Sequence, residues 1–145
     1  MEIIAKNRKA FFEYEIIEKV EAGIVLTGTE VKSIRNRDVS INESFALLEK
    51  GEIFIHNMHV GLYKQGNRQN HEPGRARKLL LHKKEINKIA GRIKQKGYTM
   101  VPLSMYMKEG FIKIELALVR GKSKIDKRED IKKRIVERSI QRAMR

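Results

Sequence analysis

The stretch FFEYEIIEKVEAGIVL, residues 11–26, alternates between apolar and charged side chains and is the strongest indication of the fold class. One predicted face carries the apolar members Phe12, Tyr14, Ile16 and Val20. The opposite face carries the charged members Glu13, Glu15, Lys19 and Glu21. A period of two is typical of a half-buried β-strand. We expect this strand to turn at Glu21-Ala22-Gly23 into a second strand, Ile24–Leu26.

After residue 26, the sequence pattern predicts further short strands and a few helices. Thr29 is expected to start a short helix that runs to Arg35. The best helix is His82–Lys96, because its isoleucines recur on one face and Gly97 follows as a stop. The remaining predicted strands are Phe45–Leu48 and Ile53–His56, joined through Lys50-Gly51, then Tyr98–Met107, where Pro102 indicates an edge or bulge, and Phe111–Val119.

This pattern predicts a mainly β protein. Short antiparallel strands, hairpin turns and an inserted helix favour an OB-like closed antiparallel barrel of about six strands with two or three short helices. On the last strand, Ile112, Ile114, Leu116 and Leu118 share a face, opposite Lys113 and Glu115. We expect residues 1–119 to form this barrel as one domain.

A basic tail, residues 120–145, follows the predicted barrel. It reads RGKSKIDKREDIKKRIVERSIQRAMR, with eleven Lys/Arg and four Asp/Glu, and carries +7 of the formal +14. Asp126 and Glu129 have capping-box spacing, but the apolar residues split between two sides of a helical wheel. We expect the tail to be disordered alone and to become helical on a polyanion. The alternative is a permanently frayed tail that only adds solubility.

The composition limits the partner and the compartment. A pI of about 10.1 indicates a polyanionic partner such as RNA. There is no cysteine, which excludes disulfides and thiolate zinc sites. No apolar run approaches the roughly 20 residues that a membrane-spanning helix needs, and the first residues lack a signal-peptide core. We therefore expect a cytoplasmic protein with no membrane partner.

Residues suited to catalysis do not assemble into a recognisable motif. Gly121-Lys122-Ser123 resembles the end of a phosphate-binding loop, but Leu116 occupies the position that requires a further glycine. His56 and His59 fall on opposite faces of a strand, which is a poor arrangement for sharing a metal ion. The sequence predicts no enzyme activity, no cofactor and no metal site.

The polar segment Tyr63–Lys78 is predicted to be a functional loop. It ends in Arg75-Ala76-Arg77-Lys78, which has two interpretations: a solvated run of charges, or a set of cations that contact phosphate. Leu79-Leu80-Leu81 follows directly. In an extended segment not all three leucines can face a core, so one is available to an unstacked base.

Four blocks of sequence together resemble the small protein B, or SsrA-binding protein, family. They are NRKA at Asn7–Ala10, EAGIVLTGTEVKSIR at Glu21–Arg35, RARKLLLH at Arg75–His82 and RGKSKIDKR at Arg120–Arg128, so the resemblance covers nearly the whole chain. The resemblance implies an OB-like barrel with added helices in a bacterial, cytosolic protein. Within the last block, Ser123 and Ile125 differ from the usual family pattern, as does Val119 just before it.

The resemblance also implies a function. The family binds the tRNA-like domain of transfer-messenger RNA (tmRNA) and delivers it to stalled ribosomes for trans-translation, which rescues the ribosome and tags the nascent chain. The protein mimics a tRNA anticodon arm, and its tail enters the mRNA channel near the decoding centre. Alanyl-tRNA synthetase and elongation factor Tu are implied as indirect partners of a monomer. The alternative is a ribosomal protein or a general OB-type RNA-binding module.

Site residues carried over from the resemblance fall into two groups. One member of the RNA-binding group, Glu21, has a competing interpretation as an ordinary charge at a turn, without any contact to RNA. The RNA-binding group is Asn7, Lys9, Glu21, Gly23, Lys32, Arg75, Arg77, Lys78 and Leu80. The tail group, implied to contact the ribosome, is Gly121, Lys122, Asp126, Lys127, Arg128, Lys132, Lys133 and Arg134.

Overall fold

The computed structural model of the protein describes residues 1–64, 70–94 and 97–121. In this part of the chain the fold is mainly β, with three short helices. The elements in chain order are β1 (Glu2–Lys6), α1 (Arg8–Glu13), β2 (Tyr14–Ile24), α2 (Gly28–Arg35), β3 (Val39–Ser40), β4 (Phe45–Glu49), β5 (Glu52–His56), β6 (His59–Val60), β7 (Arg77–Leu80), α3 (Lys83–Ile93), β8 (Tyr98–Lys108) and β9 (Phe111–Gly121).

Six of these strands form a ring of antiparallel neighbours. The order is β8-β4-β5-β7-β2-β9, and the pairing of β9 with β8 closes it. β1 pairs with the second half of β8, beyond the point where β4 pairs with Met100, while β3 and β6 form a separate two-stranded ladder. A closed ring leaves few unpaired edges, which protects these short strands from pairing with other chains.

The main hydrophobic core takes inward-facing side chains from every strand of the ring. From β9 it takes Ile112, Ile114, Leu116 and Leu118, as the alternation predicts. The opposite face of β9 is covered as well, because Ala117 and Val119 pack with Val101, Leu103 and Ala10 of α1. The predicted helix is confirmed as α3, which packs Ile86 and Ile89 against the main core and ends at Ile93.

The predicted turn at Glu21–Gly23 is wrong. β2 continues through these residues to Ile24, and each of them pairs with a residue of β9, from Glu21↔Glu115 to Gly23↔Lys113. Ile24–Leu26 is therefore not a separate strand. The alternation of apolar residues also breaks, because the register shifts at Ile17 between Ile16↔Val119 and Glu18↔Leu118. A β-bulge of this kind turns the side chains that follow toward the other face of the sheet.

The turn and periodicity patterns of the sequence predicted some of the other strand and helix boundaries correctly and missed others. The hairpin at Lys50-Gly51 is confirmed, with φ of 50° and 78° at the two turn residues. Pro102 lies at an irregularity in β8, as expected. The structure adds β1, α1, β3 and β6, which the sequence did not predict. It also starts β7 at Arg77, inside the segment predicted as a loop. β9 runs past Val119 to Gly121.

Candidate nucleic-acid interface

A buried carboxylate at the start of α2 organises the basic segment Arg75–Lys78. Thr27 is the N-cap of α2, not the predicted Thr29, and it forms a capping box with Glu30. The Glu30 Oε1 atom accepts from the Thr27 backbone N–H at 2.8 Å, which satisfies one of the free donors of the helix end. This local contact fixes the direction in which the Glu30 side chain points.

Glu30 binds two arginines from the far end of the loop. Arg75 donates from Nε to Oε2 at 3.0 Å and from Nη2 to Oε1 at 2.5 Å. Arg77 donates from Nε to Oε2 of the same carboxylate. Glu30 and Arg77 both have 0% exposed side-chain surface, whereas 31% of the Arg75 side chain is exposed. Charge-assisted bonds of this type are stronger than neutral ones, and burial excludes competing water.

The protonation of Glu30 follows from these contacts. Burial by itself raises the pKa of the carboxyl, because the charged form loses its hydration. Hydrogen bonds from Arg75, the Thr27 backbone and Arg77 outweigh burial and lower the pKa from 4.5 to about 2. Glu30 is therefore an anion at neutral pH, and it holds two guanidinium groups in fixed positions.

Arg77 supports the surface from beneath. Its Nη1 donates to the carbonyl oxygen of Met58 at 2.8 Å and of Arg75 at 3.0 Å, and its Nη2 to that of Pro73 at 3.0 Å. Since the side chain reaches no solvent in this conformation, it positions the loop instead of facing a ligand. The prediction that Arg77 contacts RNA directly therefore does not match its placement.

The ring of strands brings Gly23, Lys78 and Leu80 together on its outer face. Gly23 of β2 lies directly opposite Leu80 of β7, and a Cβ added at Gly23 would lie 3.2 Å from the Leu80 Cβ. Leu79 is fully buried, while Leu80 is 51% exposed, so Leu80 is the leucine of the triplet that faces solvent. Lys78 is also partly exposed, and its Nζ lies 3.8 Å from Glu52.

Glu21 lies on the same outer face of β2, two residues before Gly23. It accepts a hydrogen bond from the Tyr106 hydroxyl at 2.5 Å and another from Lys108 Nζ at 3.2 Å. These bonds, Tyr106 first, hold the pKa of the Glu21 carboxyl below its usual range. Burial and the bond to Glu21 raise the pKa of Tyr106. Glu21 is thus an exposed, ionised acceptor held on a strand, and not a charge at a turn.

The remaining predicted RNA-binding residues lie outside this row, at the start of α1 or on α1 and α2. Asn7 is buried: its Oδ1 caps α1 at Ala10 N, 3.1 Å away, and its Nδ2 donates to the Pro102 carbonyl at 2.9 Å. Lys9 pairs with Glu43 at 2.8 Å, a bond that raises the Lys9 pKa. Lys32, exposed on α2, has its Nζ 5.3 Å from the centre of the Tyr63 ring. Asn7 thus holds α1 against β8, whereas Lys9 and Lys32 remain accessible.

Of the predicted tail residues, the structure describes one. Gly121 is the last residue of β9 and pairs with Tyr14. The others, Lys122, Asp126, Lys127, Arg128, Lys132, Lys133 and Arg134, lie outside the described residues.

Sequence reasoning missed three residues that shape this surface: Glu30, Tyr106 and Lys108. The spacing of Thr27 and Glu30 matches a capping box, so it could have placed the start of α2 correctly. No local signal indicates that Tyr106 and Lys108 meet Glu21, which lies 85 and 87 residues earlier in the chain.

The described residues offer neither a metal-binding cluster nor a membrane-spanning helix. They contain no group of three or more His, Asp or Glu that could hold a metal ion. None of their helices combines the length and the apolar character that a membrane crossing requires.

Comparison with known proteins gives consistent matches. The family model "SmpB protein" matches residues 4–145. SsrA-binding proteins of Geobacillus kaustophilus and Halothermothrix orenii are 58% and 55% identical, over 99% and 100% of this chain and 92% and 94% of theirs. A chain from a solved structure described as "tmRNA-SmpB: a journey to the center of the bacterial ribosome" has a TM-score of 0.68 and 45% identity, covering 88% of this chain and 93% of that one.

Proposed function

We propose that this chain, which belongs to the SmpB family, is a tmRNA-binding adaptor that acts in trans-translation on stalled ribosomes. The main support for this proposal is the match to the family model over residues 4–145. It is joined by relatives that are named for binding SsrA, the tmRNA. The SmpB family is a family of RNA-binding proteins and not of enzymes. The adaptor therefore works by binding and positioning, which agrees with its strongly basic composition.

The six-stranded ring is best described as an OB-like barrel. Ring closure through β8 and β9, a core filled from all six strands and the helix α3 packed against that core support this description. OB barrels bind nucleic acid on an outer sheet face and its flanking loops. The outer face that carries Glu21, Gly23, Lys78 and Leu80 is therefore where we place the tmRNA.

On this face each side chain has a separate task. Leu80 offers an apolar contact to an unstacked base, and Glu21 accepts a hydrogen bond from a base N–H or a 2′-hydroxyl. Lys78 and the exposed part of Arg75 contact phosphate, with Lys9 and Lys32 as further cations at greater distance. Asn7 and Arg77 contribute by holding α1 and the loop in place.

The chain divides its work between residues 1–119 and the tail, 120–145. We assign recognition of the tRNA-like domain of tmRNA to the first part. We assign the mRNA channel and decoding centre of the ribosome to the second, because its eleven cations suit a path lined with RNA. Alanyl-tRNA synthetase and elongation factor Tu then act with the complex indirectly, through the RNA. The complex with one protein molecule forms in the cytoplasm and mimics a tRNA, with the protein as its anticodon arm.

Affinity capture tests this function directly. The full chain, tagged at its N-terminus, is used to capture RNA from a bacterial extract at two salt concentrations, and the RNA is sequenced. We expect one RNA, tmRNA, to be enriched far above its share of total RNA. Recovery of ribosomal RNA in subunit stoichiometry without tmRNA enrichment would instead identify a ribosomal protein.

A further inference from the structure

A small pocket, lined mainly by apolar side chains, lies between α2 and the β8–β9 hairpin, beside the proposed tmRNA face. Its volume is about 170 Å³, and its walls include Leu26, Val31, Met107, Phe111 and Ile112, with Arg35 at the polar side. This is smaller than the roughly 300–1,000 Å³ typical of pockets for drug-sized ligands, so it suits a single small ring.

Phe111, the aromatic residue in the wall of this pocket, is largely exposed to solvent. It is 69% exposed, whereas large apolar side chains are normally covered. It follows a two-residue turn in which Glu109 and Gly110 have φ of 52° and 82°. Turns with two positive φ values match the twist of the flanking strands and hold a hairpin tightly. The ring is thus presented to solvent from a rigid position.

Cationic residues lie next to Phe111. The Lys113 Nζ lies 5.8 Å from the ring centre, and Lys108 is directly opposite Phe111 in the hairpin. In the described part of the chain the Arg35 guanidinium has no hydrogen bond or ion pair. An apolar protein partner would bury these charges at a cost, whereas an RNA strand supplies both a flat ring and phosphates.

The pocket borders the proposed tmRNA face. Lys113 of β9 lies opposite Gly23 of β2, which lies opposite Leu80 of β7, so these three residues form one row across the outer face. Phe111 is the next outward residue along β9. Lys108, its partner in the hairpin, also binds Glu21.

From these observations we propose that the pocket takes one unpaired base of the bound tmRNA. Phe111 stacks on the base, and Arg35 contacts its phosphate. The inference rests on the proposed function. Among the lining side chains only Arg35 is polar. Stacking on the Phe111 ring tolerates all four bases, because every base has a flat face.

The chain contains no tryptophan, so the fluorescence of one introduced at position 111 reports only on stacking at that position. The full chain carrying Phe111→Trp is titrated with full-length tmRNA transcript while tryptophan emission is recorded. We expect saturable quenching from stacking on the base. The matched control titrates the same Phe111→Trp chain with a fully paired RNA duplex, which offers no unpaired base, and there we expect little change in emission. Phe111→Trp that binds tmRNA with parental affinity and unchanged emission would overturn the proposal.

Affinity measurements supply a second, independent test. Phe111→Leu keeps apolar area but removes the flat ring, and we expect tmRNA binding to weaken about 5- to 100-fold. Phe111→Tyr keeps the ring and should bind within about twofold of the parent. Arg35→Gln should reduce the slope of log affinity against log salt by about one. If Phe111→Leu and the parent bind tmRNA with equal affinity, no base stacks on Phe111.

These results separate the two proposals. If the parental chain shows no preference for tmRNA over a ribosomal RNA fragment of equal length, the proposed function fails. If the parent prefers tmRNA but neither the emission nor the affinity responds at position 111, only the pocket assignment fails. Thermal unfolding of each variant checks that the fold is retained, which the exposure of Phe111 leads us to expect.

Discussion

Glu30 is the residue on which the basic loop depends. It lies in α2, and the arginines that it binds come 45 and 47 residues later in the chain. The carboxylate has no exposed surface, so its charge is compensated by these two partners and by the Thr27 backbone. Removing one member of a buried set of charges costs more than the set contributes, because the remaining charges stay unpaired.

Glu30→Gln should therefore destabilise the protein by about 3–5 kcal/mol. Glutamine keeps the capping-box contact with Thr27, so the loss reports on the ion pairs and not on the helix cap. The measurement is denaturant unfolding followed by circular dichroism. Glu52→Gln is the control, because it removes an exposed partner of Lys78 at 3.8 Å and should cost less than about 1 kcal/mol. Equal stability of Glu30→Gln and the parent would contradict the assignment.

Glu30 also predicts a dependence of stability on pH. Its pKa is about 2 in the folded protein and near 4.5 when unfolded, so the unfolded state binds a proton first as the pH falls. Its contribution to the free energy of unfolding is complete above pH 4.5 and is lost as the pH falls toward 2. We expect unfolding free energy measured from pH 6 to pH 2.5 to fall less steeply for Glu30→Gln than for the parent. Parallel profiles would exclude Glu30 as the group responsible.

At the scale of elements, β2 decides the composition of the proposed RNA face. Had the chain turned at Glu21–Gly23, as predicted, these residues would have been a flexible loop. The continuous strand instead holds Glu21 beside Tyr106 and Gly23 against Leu80. Turn signals such as Ala-Gly are local, and they were overridden here by pairing with β7 on one side and β9 on the other.

Gly23→Ala tests the contact between β2 and β7. The new methyl group would lie 3.2 Å from the Leu80 Cβ, so Leu80 must shift by a few tenths of an ångström. We expect tmRNA affinity to fall about tenfold, because the apolar contact moves away from its base, while the fold persists. The measurement is equilibrium binding to tmRNA transcript.

Gly91→Ala in α3 is the matched control for this prediction. Apart from its chain neighbours and the backbone of its own helix, the added Cβ meets no described atom within 4 Å. It should therefore stabilise the helix by about 0.5–1 kcal/mol and leave RNA affinity unchanged. Parental affinity in Gly23→Ala would mean that the position of Leu80 does not matter for RNA binding.

At the scale of the whole molecule, charge is divided evenly between two parts. Half of the formal +14 lies in residues 1–119 and half in 120–145. Within the described part of residues 1–119, several cations are already paired with carboxylates, such as Arg37 with Glu2 and Lys88 with Glu18. Salt-dependent binding reports on the cations that contact phosphate, and we expect Lys78 and the exposed part of Arg75 to be among them, because their partners leave part of each side chain exposed.

Deleting residues 126–145 tests the division of work between the two parts. We expect tmRNA affinity within a few-fold of the parent, because the ring face remains, and loss of nascent-chain tagging on stalled ribosomes. Tagging is measured in a reconstituted translation reaction with a message that lacks a stop codon. A deletion variant that still supports tagging would contradict the role of the tail. One that no longer binds tmRNA would place recognition in the tail.

The sequence alone determined the mainly β class, the hairpin at Lys50-Gly51, the inward face of β9, the helix α3 and the family. Those features depend on periodicity and turn residues a few positions apart, which a sequence displays directly. Its local patterns could not reveal that Arg77 is buried behind Glu30, that Leu80 is the exposed leucine, or that Phe111 borders the same face. These depend on register and ring closure, which join residues dozens of positions apart through contacts that leave no local pattern. Tertiary structure therefore decided which basic residues are buried beneath the surface, such as Arg77, and which remain exposed on it, such as Lys78.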